Sequence, residues 1–493
     1  MIRRVLKDSS LVLFGDALAT FVSGFLLVPL YTGHMPTADY GVVVIIGALA
    51  SVLGPLLCLS LPSAFLRYYF EVPEEDRPSY AGSLLLFSAV LTGAFALLWI
   101  LCLGWIRKTF LPNLPPEALL WVMAVVALAV VRGLVDTLLR LRMRFKVIVM
   151  AALTQSSLLL VLAILLVKRQ HLGLYGWAYG NIGATLLVTV PLVLLMRRDF
   201  KFRWLGPEVK RSLRFSLPLV VGYLGWFMAN RSGLLVIQRY LSLSDAGIYG
   251  VAYSFGMLFL VAGQAMDKVV GPVFYRDITK PDGPAWWARL TVVFTSALSW
   301  LALSVCLFAR PVFTLLFPHD YLKGLPLLPI IIWAFICKCL DIFFIRGLFY
   351  REKTMMLMMI SVGTGLLNVG LNLWLIPRYG LTAAAYATLI SYGLASIVGL
   401  VLSQRVMRLP YRFGMFLFSV GLPLVFSFIA WRSDSEHWTG ADWMLRLGLW
   451  AGASAVTALI VWRCRGSAAG AADDTHEGRG ANGNGGSDTQ QAG

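Results

Sequence analysis

Apolar runs long enough to cross a hydrocarbon core recur along almost the whole chain, and no other feature limits its fold so strongly. Crossing about 30 Å takes roughly 20 helical residues. Fourteen such runs can be read, at 9–30, 40–64, 81–106, 117–138, 146–167, 173–196, 212–238, 246–274, 286–309, 326–349, 354–376, 381–404, 411–431 and 442–462. Backbone groups facing lipid must be satisfied within their own segment, so runs of this length predict helices. With 58% hydrophobic and 14% charged residues, a soluble surface could not be covered. The expected class is therefore an all-α membrane protein with about 14 transmembrane helices.

The start, MIRRVLKDSS, leads into a full-length span containing Asp16 and shows no small-residue cleavage site, so the first helix is expected to stay. If the N-terminus is inside, the segments that fall on the cytoplasmic side carry most of the loop Lys and Arg. The connection between the sixth and seventh spans alone supplies Arg197, Arg198, Lys201, Arg203, Lys210 and Arg211. Basic residues are retained on the cytoplasmic side, which puts both termini there. Topology then accounts for most of the net charge of +17 without a nucleic-acid partner. The six cysteines lack zinc-like spacing, and no metal or cofactor is expected. The tail 466–493, rich in Gly, Ala and polar residues, reads as a disordered cytoplasmic segment.

The chain also repeats itself. YTGHMPTADYGV from Tyr31 and YLSLSDAGIYGV from Tyr240 share Tyr-x8-Tyr-Gly-Val at an offset of 209. GLYGWAY from Gly173 and GLTAAAY from Gly380 open the sixth and twelfth spans at an offset of 207, which also relates Arg144-x-Lys146 to Arg351-x-Lys353. Matches at equivalent topological positions predict two six-helix halves, 1–200 and 201–408, related by a parallel pseudo-twofold repeat. Two additional transmembrane helices follow at 409–465. An even number of spans per half runs the symmetry axis along the membrane normal with a cavity between the halves, which is transporter architecture.

Ionisable residues within spans cost at least about 2.5–3.5 kcal/mol each on insertion scales, so they face partners or a wet cavity. Arg132 with Asp136, and Lys338 with Asp341, sit four and three residues apart on one helix face and are read as structural ion pairs. Arg346 and Arg446 lie near span ends and are expected to snorkel. Arg231 has no carboxylate among its helix neighbours; its partner is either Asp16 or Asp267 from another helix, or an anion in the cavity. Adjacent Asp267 and Lys268 point about 100° apart, so one faces the cavity and the other a helix partner, in either order. Arg67 and Arg276 lie near the cytoplasmic ends of their spans, Arg67 serving either the cavity or as an anchor for its helix. This excess of basic groups suits pyrophosphate, which takes strong charge-assisted bonds from Arg and Lys.

In these motifs, in the LRFSLPLVV opening of the seventh span with Pro218 and in the 6 + 6 + 2 arrangement of spans, the chain resembles the polysaccharide and oligosaccharide-lipid flippases of the multidrug/oligosaccharidyl-lipid/polysaccharide exporter superfamily. The resemblance implies alternating access: a polyprenyl-pyrophosphate-linked oligosaccharide enters from the cytoplasmic leaflet with its head group in a basic cavity, and the carrier rocks outward. The cargo would serve O-antigen, exopolysaccharide or capsule synthesis. Arg231, Lys268, Arg67, Arg276 and Asn230 are the candidates for head-group binding, and Asp16 and Asp267 for ion coupling or cavity ion pairs. Membrane lipids, a polysaccharide polymerase and glycosyltransferases are the candidate partners. Similar chains often carry an acid immediately before the Arg of the seventh span, where Asn230 stands here. The rival readings are an ion-coupled drug or lipid exporter of the same superfamily, which would place unpaired carboxylates in the cavity, and a membrane polymerase or ligase. The latter would gather catalytic groups in a large external loop, whereas His34, His171, His319 and His437 fall on separate loops.

Overall fold

The computed structural model describes residues 22, 26–201, 203–411, 413–433 and 438–480. Thirteen helices among them are long and apolar enough to cross a membrane, and the second to the fourteenth sequence runs each fall on one. Most of the first run, 9–30, with Asp16, lies outside the described residues; its end appears as α1 (Leu27–Thr32). The chain is thus a multi-pass, all-helical membrane protein.

By packing, the chain divides into two compact units, one formed by Met1–Val269 with Ala309–Met407 and the other by Val270–Phe308 with Arg408–Gly493. The first contains, in order, α2 (Thr37–Leu57), α3 (Leu61–Tyr68), α4 (Arg77–Leu101), α5 (Leu103–Phe110), α6 (Pro116–Leu141), α7 (Phe145–Leu162), α8 (Gly173–Leu195), α9 (Gly206–Asn230) and α10 (Ser232–Tyr240). It also holds most of α11 (Leu243–Asp277). The second unit takes α12 (Gly283–Leu307), and the first resumes with α13 (Ala309–Leu316), α14 (Leu327–Phe344), α15 (Arg346–Tyr350), α16 (Thr354–Tyr379) and α17 (Leu381–Val406). The chain ends in the second unit with α18 (Phe413–Arg432) and α19 (Gly440–Gly480). This grouping cuts across the boundaries drawn from the repeat, because α12 groups with the last two helices.

Within the first unit, the Tyr-Gly-Val motifs have a packing reason. Gly41 lies so close to α11 that a Cβ there would sit 1.8 Å from the Leu243 carbonyl oxygen. A Cβ on Gly247 would reach the Thr37 carbonyl at 2.4 Å, and the Thr37 and Ser244 hydroxyls bond across the seam at 2.7 Å. Small residues let helix backbones touch where lipid gives no hydrophobic drive for association. The other motifs mark turns. Gly173 and Gly380 have φ of +53° and +70°, where a side chain would be strained. The turns at Met143 and Glu352 share one backbone pattern: both residues have positive φ, and Arg144 and Lys353 each donate from the backbone to the carbonyl five residues back, Leu139 and Leu348, at 2.9 Å. These turns correspond at an offset of 209, two residues from the register suggested by Arg144-x-Lys146.

The second unit is closed by Arg446, which is 2% exposed and does not snorkel. Its guanidinium donates to the carbonyls of Leu307, at the end of α12 (2.8 Å), and Ala430, near the end of α18 (3.1 Å), and lies over the Trp438 ring at 4.0 Å. The last carbonyls of a helix lack partners of their own, and a cation suits that end of the dipole. Trp300 and Trp450 donate to Ser454 (2.8 Å) and Ser304 (3.0 Å) between the same helices. The tail departs from expectation. Helical backbone continues through Gly480; residues 481–493 lie outside the described residues.

Substituting Gly41→Ala forces backbone apart at the α2–α11 seam, a cost of about 1–3 kcal/mol. The expected outcome is a lower midpoint of thermal unfolding for the purified protein, while Gly47→Ala, with no atom within 4 Å of its added Cβ, leaves it unchanged.

Candidate functional site

The seventh predicted span is interrupted at Arg231. Helix α9 ends at Asn230, α10 begins at Ser232, and Arg231 between them has φ −129° and ψ −15°. A Ser232-Gly233 pair follows, a usual cause of a sharp break. Backbone groups at the break are taken up locally: the Tyr253 hydroxyl donates to the Asn230 carbonyl, and the Tyr392 hydroxyl to that of Ala229 at 3.2 Å. The Asn230 side chain is 5% exposed, donating to the Trp226 carbonyl and accepting from Tyr392, each at 2.7 Å, so it helps hold the break.

Arg231 itself is half-buried. Among the described residues no carboxylate lies within ion-pair distance of it, while its guanidinium sits over the Tyr253 ring at 5.3 Å. A cation–π contact gives about 0.5–2 kcal/mol, short of the roughly 2.5–3.5 kcal/mol that a central arginine costs. An aromatic-walled guanidinium of this kind can accept an anion. Sequence reasoning missed Tyr253, which lies under the guanidinium and holds the Asn230 carbonyl. It also missed a buried amide and hydroxyl cluster beside the break, where Asn372 donates to the Asn368 side-chain oxygen at 2.7 Å and Ser232 to the same atom at 3.3 Å.

The other candidates are placed differently. Asp267 is ion-paired with Arg346 of α15, so Arg346 is held by a carboxylate rather than snorkelling. Lys268, one residue on, is exposed. Asp16 lies outside the described residues. Arg67 pairs with Glu71, which also binds Arg211 of α9, so both arginines share one carboxylate. Arg276 belongs to the second unit and holds Asp277 through two bonds of 3.0 and 2.7 Å. Those bonds, with Lys280, keep the Asp277 carboxyl well below the usual carboxylate range. A depressed carboxylate stays ionised until pH falls through its lowered pKa, so this pairing persists throughout neutral and mildly acidic pH. Arg67 and Arg276 are thus each balanced by a neighbouring carboxylate.

The two intrahelical pairs form as spaced. Arg132 bonds Asp136 at 2.8 Å and reaches Gln155 at 3.4 Å, and Lys338 bonds Asp341 at 2.8 Å beneath the Tyr392 ring. They occupy corresponding helices, the fourth and tenth spans.

Among the described residues the chain is a bundle of membrane-length helices with one span interrupted and a cation at the break. The family described as polysaccharide biosynthesis protein matches residues 35–326, more than half of the sequence, and the chain belongs to that family. No curated protein matches the sequence. Among solved structures, the lipid II flippase MurJ in an inward closed conformation matches at 15% identity and a TM-score of 0.67, covering 92% of this chain and 97% of that one. An inward-facing multidrug resistance MATE family transporter of the MOP superfamily matches at 15% identity and 0.65, covering 79% and 95%. A MATE protein in complex with MaD3S matches at 17% and 0.55, covering 82% and 96%. At such identities the likeness speaks for the fold, which agrees with the superfamily resemblance read from the sequence.

Removing one partner of a buried ion pair leaves the other charge stranded, typically at about 3–5 kcal/mol, whereas replacing both with apolar groups is nearly neutral. Lys338→Met should therefore lower thermal stability more than the double substitution Lys338→Met with Asp341→Leu. Unfolding midpoints of the two purified variants check this.

Proposed function

We propose that the protein is an alternating-access flippase that moves a polyprenyl-pyrophosphate-linked oligosaccharide from the cytoplasmic to the outer leaflet for cell-surface polysaccharide synthesis, without covalent chemistry of its own. The observation that carries this reading is Arg231, a cation at a helix break that no described carboxylate balances and that lies over the Tyr253 ring. A pyrophosphate would complete the charge balance, and the aromatic wall would suit the first sugars. Membership of a polysaccharide biosynthesis family and a fold shared with a lipid II flippase support a lipid-linked cargo. In this reading residues 1–200 and 201–408 are the two moving halves, with both termini cytoplasmic in the bacterial inner membrane. Lys268 adds a second cation to the path, and Arg67, sharing Glu71 with Arg211, becomes available to a head group when that bridge parts. Asp267 couples transport to an ion through its pair with Arg346, and Asp16 is the second coupling candidate.

The test is made in a strain lacking the protein, complemented at matched membrane abundance with wild type, Arg231→Ala or Arg231→Lys. One charge-assisted contact contributes about 1.5–3 kcal/mol, so Arg231→Ala should lower surface polysaccharide roughly tenfold or more and accumulate lipid-linked oligosaccharide on the cytoplasmic leaflet, with Arg231→Lys intermediate. Wild-type levels of both quantities in Arg231→Ala would remove Arg231 from the head-group site. A deletion strain that changes neither quantity would overturn the polysaccharide function.

A further inference from the structure

A cavity of about 440 Å³ opens in the first unit, with Leu235 and Val236 of α10 on its wall. Its wall is built from Leu49 of α2, Trp99 of α4, Phe110 of α5, Leu235 of α10 and Leu373 of α16, and the only charged side chain on it is Arg239. The volume falls within the roughly 300–1,000 Å³ of small-molecule sites. Thr109 and Tyr240 add hydroxyls to a wall that is otherwise mostly apolar. The Trp99 ring nitrogen is already spent on the Leu119 carbonyl at 3.0 Å. Arg239, in contrast, is exposed, and among the described residues no carboxylate pairs with it.

We infer that this cavity binds a phosphate-bearing membrane lipid, with one hydrocarbon chain against the apolar wall and the phosphate on Arg239. Three observations converge on that occupant. The wall excludes a free anion, which would be desolvated against apolar side chains with a single cation to compensate. Arg239 excludes a lipophilic cation and favours an anionic head. The flank of the cavity faces the source of such molecules: beside Trp99, α4 exposes Leu97, Leu98 and Leu101, and α5 buries no residue, exposes Trp105 and carries Arg107 and Lys108 in its last turn. Aromatic and basic residues together are the usual furniture of a lipid head-group zone.

The site is tied to the present arrangement of helices. Gln238, next to Arg239, is fully buried; it donates to the Phe110 carbonyl at 2.9 Å, and its own carbonyl accepts from Asn113 at 2.6 Å. Those bonds join α10 to the segment after α5, so any motion that separates them opens the cavity. A lipid bound here stabilises the joined state. This inference does not depend on the nature of the cargo, because it concerns binding and not transport.

The test uses the full-length protein in phosphatidylcholine vesicles doped with phosphatidylglycerol that carries a diazirine at the end of one chain. A diacylglycerol with the same chain serves as the phosphate-free control. Peptides bearing Trp99, Phe110 and Leu235 should be labelled about fivefold more by the phosphatidylglycerol. Arg239→Gln should abolish that preference, and Leu235→Trp, which fills the cavity, should remove labelling by both lipids; Leu49→Phe fills it from the opposite wall if Leu235→Trp does not fold. Labelling no stronger than on the exposed Leu417 and Phe418 face, or insensitive to both filling variants, would mean bulk lipid and overturn the site. Equal labelling by the two lipids would overturn the head-group assignment, and competition by inorganic phosphate would reassign Arg239 to a free anion.

Discussion

Charge in a hydrocarbon interior has to be balanced, and much of this molecule follows from how each balance is struck. Arg132 and Lys338 find carboxylates one turn away on their own helices, and Asp267 finds Arg346 across a helix contact. Arg446 is spread over two helix-end carbonyls and an indole ring. These arrangements are local and need nothing from outside the protein. Arg231 is treated differently. It sits where the helix ladder is broken, with tyrosine hydroxyls committed to neighbouring carbonyls and a ring beneath its guanidinium, and that environment leaves its charge only partly compensated.

The backbone around Arg231 has a matching logic. Broken helix is tolerated at membrane depth where freed polar groups are satisfied by protein or face a cavity. Here Tyr253 and Tyr392 supply hydroxyls to that end, and Asn230 braces Tyr392 in turn. The break is therefore held by side chains from α11 and α17, so movement of either helix would be felt at Arg231. The α2–α11 seam, closed by backbone contact at Gly41, couples the same α11 to the N-terminal part of the chain.

Much of the fold was legible in the sequence, because long apolar runs leave a chain few alternatives and the repeated glycine motifs mark contacts and turns. The intrahelical ion pairs were legible for the same reason, since three- and four-residue spacings fix who meets whom. Partners across helices were not. Nothing in the sequence says that Asp267 meets Arg346, that Arg67 shares Glu71 with Arg211, or that Arg446 is buried, because those contacts depend on helix rotation and tilt set by the whole bundle. Arg231 stood out as a charge without a local partner, yet the Tyr253 ring beneath it was hidden by the same limitation. The helical continuation to Gly480 was misjudged because composition was weighed without the helix that precedes it.

The central claim is that a sugar-pyrophosphate lipid crosses the membrane through this protein. Its most direct test is to reconstitute the purified full-length chain into vesicles with a polyprenyl-pyrophosphate-linked oligosaccharide and to measure how much of the glycan becomes accessible to a membrane-impermeant sugar-oxidising reagent over time. The account predicts protein-dependent exposure of the inner-leaflet pool, slowed when Arg231 is replaced by Ala. Exposure no faster than in protein-free vesicles, with and without ion gradients, while the same vesicles move a lipophilic cation, would contradict it.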